Sequence, residues 1–185
     1  MSSIDNVPPD TGTLPGTKSS PLRWRVLNED EWFILKEVRL TALKESPRSF
    51  LSKYEKEITF TEKHWRAEFA RGEWIMAGEE GEPPDAMVGV VSGYDIPSTD
   101  RYLEYLWVSP RARRSRLATD LIRAVLQRFK ALGIDTVWLW ILDGNEPARE
   151  LYNKCGFTTT GLRHRPKVDR SVWEERMNRR LSARA

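Results

Sequence analysis

The stretch that most constrains this chain is Tyr102–Ala131, where a strand-like run, a cluster of arginines and a helical pattern follow one another directly. Tyr102–Val108 is aromatic and apolar and stops at Ser109-Pro110. Arg111, Arg113, Arg114 and Arg116 follow, and then Leu117, Ala118, Leu121, Ile122, Val125, Leu126 and Phe129 recur at helical spacing. A strand that hands over to a helix through a basic turn builds an anion site. The first N–H groups of the helix have no partner within it, and the positive end of its dipole points at the same spot.

The rest of the composition limits which anions and compartments are relevant. At 185 residues the chain suits one domain with a full core, and 31% charged against 39% hydrophobic residues is an ordinary globular balance. The longest apolar runs, such as Val137–Leu142, are far shorter than the roughly 20 residues of a membrane span. No basic segment followed by an apolar stretch opens the chain, so no secretion signal is expected. A single cysteine, Cys155, cannot form an internal disulfide, which suits a reducing, cytoplasmic setting. Residues 101–185 carry 18 Lys/Arg against 9 Asp/Glu, whereas residues 1–100 carry 12 against 18. A basic second half suits a polyphosphate or nucleic acid, and an acidic first half suits a cation; solvated faces would account for the same charges.

Along the chain, residues 1–20 are Pro, Gly, Ser and Thr with little apolar content and read as a disordered leader, followed by one domain over 21–185. Leu22–Leu27 alternates as a strand. Asn28 or Asp30 caps a helix to about Leu43, with Ile34, Leu35, Val38 and Ala42 as its buried stripe, and Ser46-Pro47 breaks it. Glu62–Phe69 reads as a second helix closed by Gly72. Trp74–Ala77 and Met87–Tyr94 read as an antiparallel hairpin around a polar loop, and Asp95–Asp100 as a turn. After the basic turn and its helix, Leu132-Gly133 makes a glycine stop before a strand at Thr136–Leu142. Asn145 caps a helix with Pro147 near its first position, and Gly156 ends it. Phe157–Leu162 and Ser171–Leu181 read as the last two strands. The expected fold class is α/β, a single mixed sheet of about seven strands flanked by helices, with 102–108 and 136–142 as parallel neighbours joined by a right-handed crossover.

The order of elements and two short motifs resemble the GNAT superfamily of N-acetyltransferases over about residues 22–181. Val108-Ser109-Pro110 followed by Arg113-Arg114-Ser115-Arg116-Leu117-Ala118 resembles the family's phosphate loop, Arg/Gln-x-x-Gly-x-Gly/Ala. Asn145 followed by Leu151-Tyr152-Asn153-Lys154-Cys155-Gly156-Phe157 resembles its second signature. The chain departs from the pattern where Arg116, and also Arg114, stands in place of glycine.

The resemblance implies acetyl-CoA as co-substrate, with its phosphates on the N–H groups and guanidinium groups of Arg113, Arg114, Ser115, Arg116, Leu117, Ala118 and Thr119. It implies that backbone groups at Val108, with Leu106 and Trp107 beside it, hold the thioester and pantetheine where the parallel strands splay, by oxyanion-hole logic. It implies that Tyr152 protonates the departing thiolate, and it allows Glu104 as the general base that frees the amine. Asn145 has two readings, helix cap and pantetheine contact. By period two Glu104 shares a face with Tyr102, Leu106 and Val108. Its alternative is a salt-bridged surface carboxylate, and that of Tyr152 is a core tyrosine. Trp138 and Trp140 share one strand face, with core packing the default and an acceptor wall the alternative. Cys155 reads as a small buried hydrophobe. His64 and His164 have no ligand spacing around them, so no metal is expected.

Three functions follow. The first is direct acetyl transfer to an amine of a small molecule or a protein, and the second a CoA-binding module without catalysis. The third is a nucleic-acid binder, disfavoured because no aromatics interleave with the arginines. A homodimer through the last strand is compatible with the sequence.

Overall fold

The computed structural model describes residues 10–14, 22–91 and 96–181. Eight strands form one sheet in the order β1-β2-β3-β4-β5-β6-β8-β7. They are β1 (Thr11–Leu14), β2 (Leu22–Val26), β3 (Gly72–Gly78), β4 (Ala86–Val91), β5 (Arg101–Val108), β6 (Thr136–Leu142), β7 (Thr158–His164) and β8 (Glu174–Arg180). The helices are α1 (Trp32–Glu45), α2 (Tyr54–Glu57), α3 (Glu62–Arg71), α4 (Leu117–Ala131) and α5 (Glu146–Lys154). All neighbours are antiparallel except β5 and β6, which are parallel. The mixed α/β sheet flanked by helices is therefore the expected class, with one strand more than the periodicity revealed.

That extra strand corrects the reading of residues 1–20 as a leader without structure. Thr11–Leu14 lines up against β2, Thr11 opposite Arg25 and Leu14 opposite Leu22. The segment is too poor in apolar residues to signal a strand, but Leu14 is buried at 3% exposure. Gly12 faces the Trp24 indole so closely that a Cβ there would lie 2.3 Å from its Nε1. The neighbour, and not the segment's own composition, makes this strand. The rest of the leader apart from Asp10 lies outside the described residues, as do Tyr94 and Asp95, expected at a strand end and a turn.

The first helix begins where its cap predicts. Asn28 Oδ1 accepts from Asp30 N at 3.0 Å, and Glu31 Oε2 returns to the Asn28 N–H at 3.1 Å, so a capping box starts a 3-10 turn that runs into α1. Leu35, Val38, Ala42 and Leu43 are the buried stripe of α1. The single-turn α2 is too short for periodicity to reveal. It is held by Glu57, whose carboxylate pairs with the Arg39 guanidinium at 2.8 and 3.0 Å, both side chains being buried. β8 starts at Glu174 and not at Ser171, because the Asp169 carboxylate accepts from Ser171 N and Oγ and holds a turn there.

The core lies on both sides of the sheet. Leu121, Ile122, Val125, Leu126 and Phe129 of α4 pack on one face, against Val88, Leu103, Val137 and Leu139. Leu35, Val38 and Leu43 of α1 with Trp65 of α3 pack on the other, against Trp74, Met76 and Trp107. No helix among the described residues is long and apolar enough to cross a membrane.

Candidate active site

Between β5 and β6 the backbone pairs only at Arg101–Val137 and Tyr102–Trp138. Beyond these the parallel strands part, and the β6-facing N–H and C=O groups of the second half of β5 are left for something other than a strand. A cleft of about 870 Å³ opens there. Its walls carry eight of the residues expected from the sequence: Glu104, Leu106, Trp107, Val108, Arg113, Ala118, Asn145 and Tyr152.

The basic loop forms one rim. Arg114 (φ 62°) and Arg116 (φ 69°, ψ 0°) both occupy the left-handed region. The two positions where glycine was expected therefore keep a glycine-like backbone, at a cost of about 1–2 kcal/mol for each side chain. Arg116 occupies the N-cap of α4 with no side-chain cap, so the N–H groups of Leu117, Ala118 and Thr119 are left for an anion. Arg114, Ser115 and Leu117 line a smaller neighbouring hollow with Arg113, while Arg116 and Thr119 line neither. The Leu117 side chain is core, at 2% exposure, so only its backbone can serve a ligand. Ser115 Oγ donates to the Ala112 carbonyl at 2.5 Å and shapes the turn.

Arg113 is held more tightly than a loop cation. Its Nε donates to the Val108 carbonyl at 3.1 Å, and its Nη2 donates to Glu45 at 2.5 Å and Ser46 Oγ at 3.2 Å. Trp107 Nε1 donates to the same Glu45 oxygen at 3.1 Å. Burial works against the Glu45 charge, but these donors outweigh it and hold its carboxyl below the usual range. Trp107 itself is buried beneath α1, where its side chain packs, and it stands opposite Met87 of β4. Asn145 performs its capping role, Oδ1 accepting from Ala148 N at 3.3 Å, and also lines the cleft.

One alternation expected from the sequence is wrong. Glu104 does not share a face with Leu106 and Val108, which pack on the α4 side, but lies toward α3 with Tyr105. Tyr105 stands at φ 58°, and the register against β4 slips between Met87 and Gly89. A β-bulge has inserted one residue, and the alternation inverts past it. Glu104 Oε2 lies 3.6 Å from Arg71 Nη2, and Arg71 also pairs with Glu68 at 2.8 Å. Burial raises the Glu104 carboxyl above its ordinary value, opposed by the nearby Arg71 guanidinium. Burial also pushes the Tyr152 phenol up, so it is a protonated donor across the physiological range. The Tyr152 ring meets Phe157 edge-on at 5.6 Å.

Several cleft residues carried no sequence signal. Arg71, Glu68, Phe50 and Glu57 arrive from α2, α3 and their linkers, and only tertiary folding sets them opposite β5. On the far wall Trp140 lines the cleft and stacks on His164 at 4.0 Å, and His164 Nε2 lies 3.1 Å from Glu174. Trp138 donates to Asp100 at 2.7 Å and lies under Arg176. Both tryptophans are half-buried on the sheet face opposite Leu139 and Ile141, and of the two only Trp140 lines the cleft. Cys155 is buried as expected, at 1% exposure. No group of His, Cys, Asp and Glu among the described residues could hold a metal.

The sequence model of the acetyltransferase (GNAT) family matches residues 38–157. No curated protein matches the chain. Among solved structures, the chain is similar to the ribosomal-protein-S18-alanine N-acetyltransferase from Escherichia coli, at 16% identity over 89% of this chain and 96% of that one, with a TM-score of 0.66. It is similar to yncA from Salmonella typhimurium, solved with its cofactor acetyl-CoA, at 14% identity over 88% and 95%, with a TM-score of 0.68. It is also similar to the spermidine N-acetyltransferase from Vibrio cholerae, solved with CoA and spermine, at 15% identity over 86% and 95%, with a TM-score of 0.65. At these identities the likeness is one of fold.

Proposed function

The chain belongs to the GNAT acetyltransferase family and is an acetyl-CoA-dependent N-acetyltransferase, and on that premise we propose that it passes the acetyl group directly to a primary amine within a ternary complex. The observation that carries this reading is the meeting of Glu104, Val108 and Tyr152 on one cleft where β5 and β6 part. When bound, acetyl-CoA supplies a thioester activated for acyl transfer. The donor set suits it: the unpaired edge of β5 for an amide-bearing arm, and the uncapped start of α4 with two left-handed residues before it for phosphates.

The residues then divide the work. The backbone N–H at Val108 steadies the charge that develops on a carbonyl oxygen. Glu104, made more basic by burial, accepts a proton from the incoming ammonium nitrogen and so frees its lone pair. Tyr152 keeps its proton until a thiolate needs it and then gives it up. The acceptor is an amine of a small molecule or a protein. Phe50, Phe60, Tyr105 and Trp140 offer it an aromatic surround, and such faces attract ammonium groups. A lone buried thiol suits a reducing compartment, and the protein works in the cytoplasm.

A thermal-shift titration with acetyl-CoA, followed by thiol release over a panel of polyamines, amino acids and peptide amines, tests the reading. Saturation at about 100 times the dissociation constant stabilises the fold by about 2.7 kcal/mol. Tyr152→Phe is expected to keep that shift and to lose about 10²–10³-fold in turnover. Flat melting curves, or no thiol above background with any amine, would overturn it.

A further inference from the structure

Glu174 is a buried carboxylate that the proposed reaction does not use. It opens β8, is 8% exposed and lines the cleft. Its face follows from the register. Glu174 stands opposite Leu142 of β6 on one side and His164 of β7 on the other. Cross-strand partners share a face, and alternation along β6 groups Leu142 with Trp138 and Trp140, away from Leu139 and Ile141. Leu139, Ile141 and Met177 lie in the core on the α4 side, where Tyr152 also packs. Glu174 therefore belongs to the opposite side of the sheet, the side toward which Glu104 turns.

The other carboxylates of the cleft wall lie beside arginines. Glu57 takes a bidentate pair from Arg39, Glu68 meets Arg71 at 2.8 Å, and Glu104 lies 3.6 Å from the same Arg71. Glu174 has an imidazole instead. Among the described residues its one side-chain partner is His164, whose Nε2 lies 3.1 Å from Oε2. The His164 ring is itself braced, stacked on Trp140 at 4.0 Å and 14°. Arg176, two residues along the same face of β8, lies over the Trp138 ring at 4.6 Å. A carboxylate has about four acceptor sites, so a single ring N–H leaves most of that capacity unused. Of the cations lining the cleft, Arg71 and Arg113 are engaged by Glu68 and Glu45, and Lys53 and Lys56 are exposed to screening water.

We propose that Glu174 is a specificity-determining residue for the acceptor: it takes the second ammonium group of an aliphatic diamine whose other amine receives the acetyl group, and His164, braced on Trp140, holds the carboxylate for it. This rests on the reading of the cleft as the acetyl-transfer site. A buried carboxylate is best matched by a cation that hydrogen-bonds to it, and a ligand ammonium supplies both the charge and the N–H groups. Phe50, Phe60, Leu51 and Leu106 give the methylene chain apolar surface to cover. Glu174 binds and transfers no proton.

The test is isothermal titration into protein saturated with CoA, using three ligands matched in chain length: an α,ω-diaminoalkane, the alkylamine with a methyl group in place of one amine, and the ω-aminoalkanoate. At the best chain length of a series, the wild type is expected to bind the diamine about ten- to a hundredfold more tightly than the alkylamine, and the aminoalkanoate more weakly than either. Glu174→Gln keeps the size and removes the charge, and should bring the ratio of diamine to alkylamine affinity close to one. His164→Phe keeps the stack on Trp140 and removes the donor, and should lower the ratio by part of that amount; an unchanged ratio there overturns the role of His164. Should Glu174→Gln fail to fold, the order of the three ligands on the wild type decides. A wild-type ratio near one at every chain length, or a ratio that Glu174→Gln leaves intact, overturns the inference while the proposed function stands. CoA that fails to bind overturns the proposed function and this inference with it.

Discussion

Arg114 and Arg116 each hold a backbone that glycine adopts freely, in the loop proposed to hold phosphates on main-chain N–H groups. The departure from the family pattern is therefore in the side chain and not in the path of the backbone. Arg116→Gly exchanges about 1–2 kcal/mol of left-handed strain for about 0.5–1 kcal/mol of extra chain entropy in the unfolded state. The melting temperature is expected to rise by up to about 4 °C, read by calorimetry. Acetyl-CoA affinity, read by isothermal titration, should fall by no more than about tenfold, because removing one exposed cation costs about 1 kcal/mol or less. A loss of a hundredfold or more would mean that the side chain and not the backbone carries the phosphates. Cys155 shows the opposite situation, a residue sealed from the solvent. Burial pushes its thiol up, so the thiolate that reagents attack is scarce as well as covered. In native buffer an aromatic disulfide reagent should register about no thiol, and in urea about one per chain. Thiol-release assays on the native protein should thus carry no background from the enzyme.

At the scale of elements, the acceptor side is held by two ion pairs reaching out from α1. Near its middle, Arg39 meets Glu57 of α2 in a buried bidentate pair, with the guanidinium also over the Phe50 and Tyr105 rings. At its C-terminal end, Glu45 meets Arg113 of the basic loop. The first pair should dominate stability, because both partners are shielded from water and the second pair is partly solvated. Arg39→Met strands a buried carboxylate and is expected to cost about 3–5 kcal/mol in urea unfolding, while the double variant Arg39→Met/Glu57→Leu should recover most of that. A cost in the double variant equal to that in the single one would show that the stacking of the guanidinium, and not the stranded charge, is what matters. The bulge in β5 belongs to this scale too. It is an irregularity of one residue, yet it decides which side chains of the strand face the cleft.

Across the whole molecule, the residues of the proposed donor side of the cleft could be named from the sequence, and those of the proposed acceptor side could not. The donor side is local: β5, its basic turn and the start of α4 are contiguous, and Asn145 and Tyr152 lie on one short helix with its cap. Residues proposed to act together there are close in sequence, so they fall within short motifs that resemble the family's, with capping and a glycine stop marking the elements around them. The acceptor side assembles Phe50, Glu57, Glu68 and Arg71 against Glu104 and Tyr105, with Trp140 and Glu174 opposite. None of these pairings is local, and no periodicity encodes them. The same division explains two of the misreadings. β1 exists because β2 offers it an edge and an indole to cover, which composition cannot register. The face of Glu104 was misjudged because strict alternation assumes an unbroken register, and the slip depends on Gly89 and Trp74 across the sheet. By itself the sequence determined the order of elements from β2 onward apart from the single-turn α2, and with it the parallel crossover and the basic turn before α4, all consequences of short-range geometry. Tertiary structure alone decided which carboxylate faces the cleft and what surrounds it, because burial, bulge register and long-range ion pairs exist only once distant segments are packed together.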